Sequence, residues 1–72
     1  MNKFICPVHD YNSGIYNISV NAVSFEEARE KIMQHYRDIF DDLVEENWDD
    51  FLVEIDSVHD LYIGEPNDIE TL

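Results

Sequence analysis

Hydrophobic and polar positions alternate first with period two and then with a period near three and a half. "KFICPV" is a short apolar run. "GIYNISVNAV" sets Tyr16, Ile18, Val20 and Ala22 on one side against Ile15, Asn17, Ser19 and Asn21 on the other, the signature of a half-buried strand. Between them "HDYNSG" carries turn chemistry. Gly14 accepts positive φ, and Asp10, Asn12 and Ser13 can bond local backbone. The two strands are expected to form a hairpin. Pro7 lacks an N–H and is expected at the end of strand 1 or on an edge.

Ser24 and Glu27 have the Ser-x-x-Glu spacing of a capping box, so a helix is expected to begin at about residue 25. Phe25, Ala28, Ile32, Tyr36, Ile39, Phe40, Leu43, Val44 and Phe51 continue at helical spacing, with no glycine or proline between residues 24 and 63. One helix over about 25 to 47, or two with a break near 38 to 42, satisfies the pattern. "FLVEIDSV" then alternates Phe51, Val53 and Ile55 against Leu52, Glu54 and Asp56 and is expected to be a strand. "DLYIG" follows a turn at "DSVHD" as another. Gly64 and Pro66 end it, leaving residues 67 to 72 as a frayed tail. The expected class is α+β, a small antiparallel sheet in the order β-β-α-β-β with one main helix packed on one face. With 72 residues, room exists for one core and one domain, 1 to 72.

Composition sharpens this outline. The chain is 44% hydrophobic, with four Phe, four Tyr and one Trp, so it is expected to fold despite a net charge of −13. No apolar run approaches the length of a membrane span, and the amino-terminal residues lack a sustained apolar leader. A single cysteine, Cys6, excludes an internal disulfide and fits a reducing compartment. A soluble protein of the cytoplasm is expected.

The charge is unevenly placed. Residues 1 to 37 are neutral, with Lys3, Arg29, Lys31 and Arg37 against Asp10, Glu26, Glu27 and Glu30; beyond Arg37 stand thirteen acids and no Lys or Arg. Such asymmetry points to an electrostatic partner. Direct binding to nucleic acid or to an anionic membrane is disfavoured, and a basic protein surface is favoured.

On a continuous helix Asp38, Asp41, Asp42, Glu45, Glu46, Asp49 and Asp50 would share the face opposite Ile39, Phe40, Leu43, Val44, Trp48 and Phe51. Their density would be about one charge per 2.6 Å, between that of one DNA strand and that of the duplex. Glu54 and Asp56 would extend the track. Trp48, at the edge of the apolar arc, would be the partly exposed aromatic that anchors a partner. A solvated face normally mixes charge signs to gain i,i+4 pairs, and here stacked acids repel instead.

Other chemistry is sparse. "CPVH" spaces Cys6 and His9 as half of a zinc site, with only His35 and His59 to complete it, so no metal or other cofactor is expected. Asp10, Asn12 and Gly14 do not complete a calcium loop. His59 and Asp60, adjacent in the chain, make a poor catalytic dyad, and no phosphate loop, HExxH or Gly-x-Ser-x-Gly elbow is present. A non-enzymatic protein is expected.

In size, charge and the acidic segment "DIFDDLVEENWDD", the chain resembles the small phage-encoded DNA-mimic inhibitors, the anti-CRISPR and anti-restriction proteins. The resemblance implies blockade of the basic nucleic-acid-binding surface of a host defence complex. The competing expectation is a small acidic accessory subunit that docks through an apolar or aromatic surface. Neither fixes the oligomeric state.

Overall fold

A computed structural model describes residues 2 to 70, with side chains placed up to residue 67. The elements run β1 (Asn2–Asp10), β2 (Gly14–Ala22), α1 (Phe25–Ile39), α2 (Trp48–His59), β3 (Leu61–Ile63) and β4 (Asn67–Glu70). The class is the expected α+β with an antiparallel sheet covered on one face. A second helix joins the first in that cover.

The hairpin forms as its residues dictate. Asp10 Oδ1 accepts from the Asn12 N–H at 2.9 Å, Gly14 takes φ +110°, and the strands pair from Asn2 with Ala22 to Asp10 with Gly14. Phe4, Cys6 and Val8 share the covered face with Ile18, Val20 and Ala22. Ala28, Ile32, Met33 and Tyr36 of α1 and Trp48, Phe51 and Ile55 of α2 pack onto that face. Ser24 caps α1 by accepting from the Glu27 N–H at 3.2 Å, and the Glu27 carboxylate reaches back to the Val23 N–H at 3.3 Å.

The single long helix does not form. The Phe40 N–H closes the last turn on the Tyr36 carbonyl at 2.8 Å, and Phe40 then becomes extended. Continuing would stack Asp38, Asp42 and Glu46 at i,i+4 and crowd negative charge at the negative end of the helix dipole. The chain turns at Asp41 and Asp42 instead. It restarts at Asn47, whose side chain accepts from the Asp49 and Asp50 N–H groups at 2.9 and 3.3 Å, and at this N-terminus acids are favoured.

The strand expected over 51 to 58 is part of α2. Phe51 and Ile55 are buried and Val53 is 67% exposed, so the burial follows helical rather than alternate spacing. Residues 67 to 70, expected in a tail, add β4 to the sheet; Thr71 and Leu72 of that expectation lie outside the described residues.

β1 is the central strand. β2 lines one side, and β3 and β4 follow one another along the other. Pro7 therefore sits within the central strand rather than at its end or on an edge. Its carbonyl accepts from the Gly64 N–H at 2.9 Å, so its missing donor points to the interval between β3 and β4. There the Cys6 thiol donates to the Gly64 carbonyl at 3.1 Å. The ladder is interrupted where proline could not have maintained it.

Candidate functional site

The segment between the helices is fixed from within. Phe40 lies against the His59 ring, centroids 3.8 Å apart and planes 15° from parallel, and also stacks with Tyr36 at 6.3 Å. His59 Nε2 meets Asp42 Oδ1 at 2.8 Å, tying the turn to the last turn of α2. Leu43 enters the core. Glu54 Oε1 accepts from the Val44 and Glu45 N–H groups at 3.1 and 3.2 Å, and Arg37 donates to the Glu45 carbonyl at 2.7 Å. These bonds satisfy the Val44 and Glu45 N–H groups and the Glu45 carbonyl in a segment that has no helix or strand ladder of its own.

The acids proposed as a track thus divide by task. Asp38 lies in the last turn of α1 and accepts from the Gln34 amide at 2.9 Å. Asp42 is paired with His59, and Glu54 supports the loop backbone. Asp56 accepts from the Tyr11 hydroxyl at 3.4 Å, which joins α2 to the hairpin turn. Glu45 is half-buried. Asp41, Glu46, Asp49 and Asp50 are exposed, and no side-chain hydrogen bond or ion pair engages their carboxylates among the described residues. The even helical row is replaced by loop acids followed by acids on the first turn of α2.

Trp48 is buried, only 7% exposed, rather than available as an anchor at a rim. Its indole N–H donates to Glu65 Oε1 at 3.3 Å, Arg29 bonds Glu65 Oε2 at 2.8 Å, and the guanidinium stands 5.4 Å from the indole centroid. Glu65 thereby closes a polar lid over the tryptophan edge. Three distant positions meet here, and no local spacing announces them.

Cys6 and His9 cannot act together: Cys6 faces the core and His9 the uncovered side of the sheet. Burial, then the nearby Glu65 carboxylate, pushes the Cys6 thiol up to about 12. His59 pairs with Asp42 and not with its neighbour Asp60. Among the described residues no group of three or more His, Cys, Asp or Glu is placed to hold a metal, and no cavity is present.

The uncovered face of the sheet has a different character. His9 lies opposite Ile15 on one side and Tyr62 on the other, and its ring meets Tyr11 edge-on at 5.0 Å. Ile15, Tyr62 and Tyr11 are 76, 57 and 50% exposed. No protein-family model, curated protein or solved structure matches the chain.

Proposed function

We propose that the protein works by binding, as an acidic inhibitor whose carboxylates take the place of nucleic-acid phosphates on a lysine- and arginine-lined surface of a partner protein or complex. The supporting observation is the combination at residues 41 to 50 of a backbone pinned from the protein side with four exposed acids, Asp41, Glu46, Asp49 and Asp50, that the fold leaves unneutralised among its described residues. Holding such charges close together costs self-repulsion, and opposing cations on a partner would remove that cost. A fixed loop also loses little conformational freedom on binding.

The second reading, docking through apolar surface, draws on Ile15 and Tyr62 on the uncovered sheet face. Affinity capture from a bacterial lysate, with and without duplex DNA, distinguishes the two. Under the acidic reading DNA displaces the captured partner and binding weakens steeply with salt. The variant Asp41→Asn, Glu46→Gln, Asp50→Asn should retain the fold and bind about tenfold or more weakly, whereas each single change costs little. Unchanged affinity and salt dependence in the triple variant, with loss on Tyr62→Ser, would establish the apolar reading instead.

A further inference from the structure

The geometry points to self-association of the protein through the outer edge of β2, which pairs antiparallel with β2 of a second copy to make one sheet across a two-fold axis.

Backbone direction locates the groups involved. Odd-numbered positions along β1 direct their N–H and C=O toward β3 and β4, as the Gly64 N–H to Pro7 carbonyl bond shows. Pro7 lies opposite Asn17, so in the antiparallel ladder the even-numbered residues of β2 bond to β1 and the odd-numbered ones point away. Ile15, Asn17, Ser19 and Asn21 therefore carry the outward backbone groups. Among the described residues no strand lies on that side of β2. Lys31 of α1 donates to the Asn21 carbonyl, which covers one end of the row. Ile15, Asn17 and Ser19 remain.

These three residues are self-complementary. An axis passing beside Asn17 sets Asn17 against its own copy, Ile15 against Ser19 and Ser19 against Ile15, so every remaining outward N–H and C=O finds a partner while Asn21 keeps Lys31. On the covered side the same register places Tyr16 beside Ile18 of the other copy, an aromatic and β-branched cross-strand pair, and draws in a tyrosine that is 39% exposed. On the other side it shelters Ile15.

Charge supports a second copy of this chain as the occupant. β2 reads Gly14–Ala22 without one charged residue or proline, although the chain carries −13. Edge strands ordinarily resist pairing with charge, proline or a bulge, and β2 has none of these in its register with β1. The acid-rich α2 packs against β3, at the opposite edge of the sheet, while α1 packs against β2. Pairing through β2 directs the acidic edges of two copies outward.

Sedimentation of the full chain in about 0.15 M salt, where long-range repulsion is screened, tests the inference. From micromolar to submillimolar concentration the protein should shift toward twice its 8.5 kDa mass, more readily as salt rises. Ser19→Pro removes an outward N–H without touching the ladder to β1, and Asn17→Lys opposes two cations across the axis. Each should weaken self-association by about tenfold or more, with circular dichroism showing the monomer still folded. A wild-type chain that stays monomeric throughout overturns the inference, even if it binds another protein's strand. So does a dimer that both folded variants retain, since its contact would then lie elsewhere.

Discussion

Gly64 meets Pro7 closely enough that a Cβ on Gly64 would stand 2.8 Å from the proline Cγ, while the Gly64 N–H bonds the Pro7 carbonyl at 2.9 Å. The proline interrupts the ladder, and the glycine lets the neighbouring strand remain alongside. Gly64→Ala should therefore destabilise the protein by about 1 to 3 kcal/mol through overpacking. Urea unfolding followed by the fluorescence of Trp48 measures the loss. Pro7→Ala in the same chain should recover part of it, and strictly additive effects would show that the contact is not the cause.

Exposed acids and acids that bind the loop backbone should respond oppositely to neutralisation. Glu54→Ala leaves the Val44 and Glu45 N–H groups without their shared acceptor and should cost about 1 to 2 kcal/mol. Asp41→Asn or Glu46→Gln relieves repulsion and should leave the melting temperature unchanged or raise it. Salt at about 0.2 M should raise the wild-type melting temperature by screening the same repulsion. A melting temperature insensitive to salt would contradict this account.

Stability should also decline in alkali. In the fold the Cys6 thiol is held up to about 12, from an ordinary 9.0, chiefly by burial. Burial likewise raises Tyr36, with help from its hydroxyl contact to Tyr16 at 3.0 Å. The protonated forms are favoured in the folded chain, so this contribution is complete below about pH 9 and is lost as pH rises from about 9 toward 12, where the unfolded chain releases its protons more readily. Melting temperatures recorded across that range should fall. In Cys6→Ala the fall should be shallower, and an identical slope would remove Cys6 from the explanation.

Much of the fold was legible where local and tertiary demands agree. The β2 alternation, the Asp10 to Gly14 turn and the Ser24 cap each state one structure, and each appears. The segment from Phe51 to Ile55 satisfies both periods over five residues, and only the burial of Phe51 and Ile55 with Val53 outside decides for helix. Asn47 followed by Asp49 and Asp50 was the available signal, an N-cap with an acidic first turn. For the acidic surface, the chain disclosed composition but not division of labour. That Asp42 would meet His59, and that Glu54 would turn to Val44 and Glu45, depends on where α1 stops. The burial of Trp48 depends on Arg29 and Glu65, which approach it from α1 and from the connection beyond β3.

The placing of β1 at the centre of the sheet has a consequence for biosynthesis. The hairpin of β1 with β2 can close as soon as residue 22 is free of the ribosome. The far side of β1 must wait for residues 61 to 70, because Val8 pairs with Ile63 and Lys3 with Glu70. Until then a nascent chain presents the β1 edge unfilled, with Cys6 and Val8 lacking the Leu61 and Ile63 that complete their cluster. A stall upstream of Leu61 would leave these sequence-distant pairings unmade and the β1 edge open to other chains.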